Sequence, residues 1–126
     1  MRKTSIDIGT NTILMLIAEF DDTKGAVKTV LDIQRLPRLG KGVDAARNIL
    51  PESTKKAISI LNEYKQISTQ HDSPSITVTA TSFIRDAHNR AEFIEEVYIG
   101  TGLKIEILSG DDEAKLTFIG GIYDKL

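Results

Sequence analysis

The sequence predicts an α/β domain in the order β-β-β-α-β-α-β-α, with a mixed five-stranded sheet and helices packed on its faces. Three observations predict it. Three strand-like runs fill residues 4–36, separated only by turn residues. A long amphipathic stretch follows at 51–69 with the 3–4 spacing of a helix. Beyond it, short strand and helix signals alternate, which is the pattern of parallel crossovers.

The first strand spans roughly 4–9 and the second roughly 12–20. They are joined by Gly9, Thr10, Asn11 and Thr12, residue types that dominate tight turns. Asp21-Asp22-Thr23-Lys24-Gly25 is the next turn signal. A third strand at about 26–36 carries Val27, Val30, Leu31 and Ile33, fit for a half-buried antiparallel strand. The segment Leu36-Pro37-Arg38-Leu39-Gly40-Lys41-Gly42-Val43-Asp44 reads as a loop.

The first helix opens near Pro51, a favoured first-turn residue. It buries Ala57, Ile58, Leu61, Tyr64 and Ile67, while Leu50 is a poor capping residue. His71-Asp72-Ser73-Pro74 ends it. A fourth strand covers 75–81, with apolar residues alternating with Thr. Asn89 or a neighbour caps a second helix of about 90–99, with Phe93, Ile94 and Val97 inward, ended by Gly100 or Gly102. A fifth strand covers 103–108. A third helix follows, opened by Asp111-Asp112-Glu113 and carrying Ala114, Leu116, Phe118 and Ile119.

Composition excludes several classes. With 126 residues the chain is long enough for one domain with a real core. A net charge of −2 lacks the basic excess of a nucleic-acid binder, so no nucleic-acid partner is expected. There is no cysteine, which removes disulfides, thiolate nucleophiles and cysteine-ligated zinc and fits a cytoplasmic protein. Asp7, Gly9 and Asn11 interrupt the apolar run after Met1-Arg2-Lys3, so no signal peptide is expected. No apolar run approaches the ~18 residues of a membrane span, so no membrane partner is expected.

The richest chemistry sits at residues 7–12. A hairpin tip carrying a glycine, two hydroxyls and an amide fits a phosphate-binding turn, because glycine permits positive φ and close approach to the main chain. Backbone N–H groups at such a turn can form an anion-binding concavity. Asp7 beside it would hold a cation that offsets phosphate charge. An ordinary tight turn accounts for the same residues.

Four motifs, in this order and at these separations, carry a resemblance. They are Asp7-Ile8-Gly9-Thr10-Asn11-Thr12, Arg38-Leu39-Gly40-Lys41-Gly42-Val43-Asp44, Ala80-Thr81-Ser82-Phe83-Ile84-Arg85-Asp86-Ala87-His88-Asn89 and Ser109-Gly110-Asp111-Asp112-Glu113-Ala114. Together they resemble the exopolyphosphatase / guanosine pentaphosphate phosphohydrolase family, across essentially the whole chain. The resemblance implies one lobe of the ribonuclease H-like fold shared by actin, sugar kinases and 70-kDa chaperones. It also implies a magnesium-dependent hydrolase that removes terminal phosphate from inorganic polyphosphate, guanosine pentaphosphate or both.

By resemblance, Gly9, Thr10, Asn11 and Thr12 form the first phosphate loop and Arg38 and Arg85 bind substrate phosphates. A guanidinium fork suits that task because it meets phosphate oxygens in pairs. Glu113 matches the catalytic glutamate that positions or activates water, and Asp7 binds or orients Mg2+. Lys41, Asp111 and Asp112 stand where many members have Glu. The family's second phosphate loop, an Asp-X-Gly-Gly-Gly-Ser segment, would lie just beyond Leu126. The chain therefore reads as residues 1–126 of an N-terminal lobe, inactive alone, whose C-terminal lobe is a missing partner.

Other readings remain open at this level. A first-turn acid such as Glu113 is favoured by the helix dipole whatever its function. Arg85 beside Asp86 fits a surface ion pair, and Arg38 fits a solvated loop. His71 and His88 lack any metal or triad pattern. The same fold would serve a kinase lobe using ATP. It would also serve a stand-alone phosphate- or nucleotide-binding module, whose cleft a partner or homodimer would complete if the gene ends at Leu126.

Overall fold

Backbone hydrogen bonding begins at the first residue, whose carbonyl accepts the Phe20 N–H at 2.8 Å. A computed structural model describes residues 1–21, 26–39, 48–80 and 82–107. Its strands are β1 (Arg2–Ile8), β2 (Ile13–Asp21), β3 (Ala26–Arg35), β4 (Ser75–Ala80) and β5 (Ile105–Ile107). Its helices are α1 (Pro51–Gln70), α2 (Ser82–Asp86) and α3 (Arg90–Thr101). No helix among the described residues is long and apolar enough to cross a membrane.

The five strands form one sheet in the order β3-β2-β1-β4-β5. The β1/β2 and β2/β3 pairs are antiparallel, while β1/β4 and β4/β5 are parallel. This is the mixed sheet expected from two hairpins followed by two crossovers. In β2/β3, Ile17 faces Leu31 but Ala18 faces Thr29, so Val30 is the extra residue of a bulge. The bulge explains why Val30 and Leu31 can be adjacent and both half-buried.

Alternation decides the core face. Thr4, Ile6 and Ile8 of β1, Ile13, Met15 and Ile17 of β2, and Val78 and Ala80 of β4 are buried. Against them lie Ala57, Leu61 and Tyr64 of α1 and Phe93 and Val97 of α3. Burial of each large apolar side chain contributes about 1.5–3 kcal/mol. α1 and α3 touch each other and share this face. The opposite face carries Ser5, Asp7, Leu14, Leu16, Thr77, Thr79 and Glu106, with Leu14 exposed. α1 and α3 form the helical layer expected against the mixed sheet among the described residues. The expected third helix and the turn at 22–25 lie outside them.

Several boundaries differ for physical reasons. β1 starts earlier than expected because β2 is long enough to pair Arg2 with Glu19, and the two side chains form an ion pair at 3.6 Å. α2 was not anticipated; five residues are too few to display helical periodicity. β5 is three residues long among the described ones. Gly102, with φ 76°, ends α3, whereas Gly100 lies inside it. An added Cβ at Gly100 would come within 3.0 Å of Ile58, so glycine there permits the close approach of α1 and α3.

Candidate active site

The sheet topology gathers the candidate residues at one end. β1, β3, β4 and β5 all run in the same direction, so their carboxyl ends lie together. The turn of residues 9–12 leaves β1, Arg38 lies three residues beyond β3, and Arg85 lies in α2 just beyond β4. Ligands of open α/β sheets gather beyond such carboxyl ends.

The turn is tight. Ile8 pairs with Ile13, and the Gly9 N–H donates to the Thr12 carbonyl at 2.8 Å. That amide is therefore committed to the turn rather than available to an anion. Nor does Gly9 adopt positive φ; the glycines that do so among the described residues reduce to Gly102. Glycine is favoured at position 9 for another reason: an added Cβ would meet the Thr12 carbonyl oxygen at 3.3 Å. Thr10 and Asn11 are exposed at the tip, and Thr12 is half-buried.

Arg38 is joined to this turn. Its N–H donates to the Asn11 carbonyl at 3.2 Å. It is exposed and holds φ 53°, a left-handed conformation that is strained for a residue with a Cβ. Leu39 next to it is fully buried and anchors the chain there. Strain of this kind is found at functional sites, and Asp72, at the other end of the sheet, shares it.

Arg85 lies across β1 from β2. Its Nε is 3.7 Å from Asp86 Oδ1, so the neighbouring ion pair anticipated from sequence is present, though long. The Arg85 carbonyl accepts a hydrogen bond from the Arg90 guanidinium at 2.9 Å, which braces the corner between α2 and α3. Asp7 is the penultimate residue of β1, paired with Leu14 on one side and Thr79 on the other. Its side chain is half-buried on the face opposite α1 and α3, with Oδ1 fully buried.

Among the described residues no cluster of three or more His, Cys, Asp or Glu side chains is placed to hold a metal. Asp7 offers one carboxylate at this end, and magnesium binds through one or two carboxylates plus substrate phosphates while keeping most of its waters.

The sequence profile of the Ppx/GppA phosphatase family matches residues 16–125. The chain belongs to this family. It is 34% identical to exopolyphosphatase 2 of Mycobacterium tuberculosis over 128 aligned positions, covering 96% of this chain and 40% of that protein. The crystal structure of the Ppx/GppA family member of Aquifex aeolicus superposes with a TM-score of 0.89 at 29% identity, covering 98% of this chain and 40% of that one. An exopolyphosphatase from Cytophaga hutchinsonii gives a TM-score of 0.83 at 27% identity, covering 92% and 36%. The fold is thus the ribonuclease H-like lobe of the Ppx/GppA family. The chain spans about 40% of the length of the curated relative it matches.

Glu113, with Asp111 and Asp112 beside it, and Lys41 with Gly40 and Gly42 lie outside the described residues. Of the Ppx/GppA motif residues that are described, the structure brings together the 9–12 turn, Asp7 and Arg38, and sets Arg85 at the same sheet end. His71 is structural: its N–H caps α1, its ring Nδ1 lies 2.9 Å from the Ile67 carbonyl, and its own carbonyl accepts from Arg2 at 2.7 Å. His88 is exposed.

Two supports of this end were missed from sequence. Tyr64, read only as core, donates its phenol O–H to the Ile13 carbonyl at 2.6 Å. Burial pushes the Tyr64 phenol above its ordinary value. Arg35, the last residue of β3, meets Glu63 of α1 at 2.6 Å, and the hydrogen bond to that carboxylate holds the guanidinium further toward its charged form. A Glu-Tyr pair on the inner edge of a helix was the available signal, but it names no partner.

Proposed function

We propose that the protein supplies the N-terminal lobe of a magnesium-dependent hydrolase that removes terminal phosphate from inorganic polyphosphate, guanosine pentaphosphate or both. The observation that supports this reading most is the strand direction. It places a turn with two exposed polar residues, two arginines and a half-buried carboxylate at one end of the sheet. The family relationship, including relatives named exopolyphosphatases, points the same way. The lobe acts with a second one that lies beyond these residues and completes the cleft.

In this mechanism Thr10, Asn11 and Thr12 hold the terminal phosphate by hydroxyl and amide donors. Arg38 and Arg85 steady the phosphate chain from either side of the turn and compensate its charge, which is most of what phosphoryl transfer asks of a protein. Glu113 orients the attacking water and takes its proton as the oxygen adds to phosphorus. The bond to the leaving phosphate oxygen breaks on the opposite side. Asp7 would hold Mg2+, which would supply charge compensation at the phosphate oxygens.

The test has two parts. Titrating this chain with tripolyphosphate and magnesium should give saturable amide shifts confined to residues 9–12, 38 and 85. In a protein that includes the second lobe, Glu113→Gln should lower turnover by about 10²–10⁴-fold, the usual worth of acid–base catalysis, with phosphate binding retained. Near-normal turnover would remove Glu113 from the mechanism. A strict need for an acceptor other than water would make the protein a kinase lobe.

A further inference from the structure

Asn89 precedes α3 in the position where its side chain ordinarily caps a helix, and Asn is among the best residues for that task. The cap is not made: no side-chain capping bond forms, and the backbone carbonyl of Asn89 alone receives the Phe93 N–H at 2.9 Å. The amide instead turns across 40 residues of sequence to the backbone of Ile49. Its Oδ1 accepts the Ile49 N–H at 2.8 Å and its Nδ2 donates to the Ile49 carbonyl at 3.0 Å. Both polar groups of one peptide residue are satisfied by one side chain, as a neighbouring strand would satisfy them.

We infer that Asn89 is a positioning residue that sets the spacing between Arg85 and the 9–12 turn. One side of the clasp is the α2/α3 corner, where Arg90 bonds the Arg85 carbonyl. The other side is Ile49, buried in the core two residues before α1 begins. α1 in turn reaches the turn through Tyr64 and the Ile13 carbonyl. A continuous path of bonds thus links the two phosphate-binding elements, and Asn89 closes it. Neither Thr nor Asp can replace it without loss, since neither offers an acceptor and an N–H donor in one plane. This role rests on the phosphate-binding reading of the site.

A ligand that touches one element is indifferent to that spacing, whereas one that spans both is sensitive to it. The experiment compares orthophosphate with tripolyphosphate, each with magnesium, by amide shifts on the whole chain well below its melting temperature. The variants are Asn89→Ala and Asn89→Ser; serine restores an N-cap while losing the two-point clasp, which keeps α3 formed.

The expected result is a loss of about tenfold in tripolyphosphate affinity, as for a small misplacement of binding groups, with orthophosphate affinity and its shifts at residues 9–12 unchanged. Equal losses for both ligands, or no loss for either, overturn the positioning role. An unmutated chain that binds orthophosphate without preferring tripolyphosphate overturns it as well. An unmutated chain that binds neither overturns the phosphate reading itself and this role with it.

Discussion

The Tyr64 phenol donates to the Ile13 carbonyl at 2.6 Å, joining the middle of α1 to the first residue after the candidate phosphate turn. The bond is buried and both partners are fully shielded from solvent. Its removal takes one buried bond from the Ile13 carbonyl. Tyr64→Phe should cost about 0.5–1.5 kcal/mol in urea unfolding at neutral pH, the net worth of a hydrogen bond.

The same residue predicts an alkaline effect. The folded-state phenol titrates above its ordinary 10.0, chiefly because burial opposes the phenolate. The unfolded chain therefore releases this proton first. The contribution of Tyr64 to stability is full below about pH 10 and is lost as pH rises through the raised folded value. The gap in unfolding free energy between the parent and Tyr64→Phe should narrow as pH rises above about 10. A constant gap over that rise would show that the phenol does not titrate with unfolding.

Arg38 predicts opposite signs for stability and binding. Its φ of 53° is strained for arginine and free for glycine. Arg38→Gly should raise stability by up to about 1 kcal/mol while weakening tripolyphosphate binding. Melting curves and ligand titrations on the same samples test both halves. A less stable Arg38→Gly variant would place the worth of Arg38 in structure instead.

Asp72 supplies a control for that argument away from the site. It holds φ 54° just past α1, where Ser73 N–H returns to the Ser68 carbonyl at 3.0 Å and Asp72 N–H to the Thr69 carbonyl at 3.1 Å. Glycine is the usual occupant of such a helix end. Asp72→Gly should stabilise by up to about 1 kcal/mol and leave phosphate binding untouched. An unchanged or lower melting temperature would mean that the aspartate side chain offsets its own strain.

Thr4, Ser68 and Ser73 form a buried hydroxyl cluster that ties β1 to the end of α1. Thr4 Oγ1 lies 2.7 Å from Ser68 Oγ and donates to Ser73 Oγ at 2.7 Å, and Ser68 donates to the Ser73 carbonyl at 2.6 Å. Thr4→Val keeps the shape and takes from Ser73 Oγ the hydroxyl that donates to it, while Ser68 keeps its bond to the Ser73 carbonyl. It should cost about 1–3 kcal/mol, whereas removing the hydroxyls of all three together should cost less than the sum of the single changes. Strict additivity in a urea series would show three independent bonds rather than a network.

Much of this fold was legible without coordinates. Pro51 opens α1 as its residue type implies, and Gly102, one of the two glycines offered, closes α3, whereas the bulge at Val30 became visible only in the strand register. Turn chemistry, helix period and strand alternation are local properties, so a few neighbouring residues contain them. The candidate site was legible as motifs, and the sheet explains why residues as distant as Gly9, Arg38 and Arg85 concern the same end of the molecule.

The sequence by itself determined the order of the five strands with α1 and α3, the inward residues of those two helices and the residue types offered to a phosphate. Only the tertiary structure decided what those types do. Gly9 avoids a clash with Thr12 rather than adopting positive φ. Asn89 grips Ile49 instead of capping α3, and Tyr64 is a hydrogen-bond donor as well as core. A polar side chain has several partners of similar strength open to it. The choice among them rests on which distant backbone group is left buried and unpaired, and that is settled when the sheet and helices close on one another.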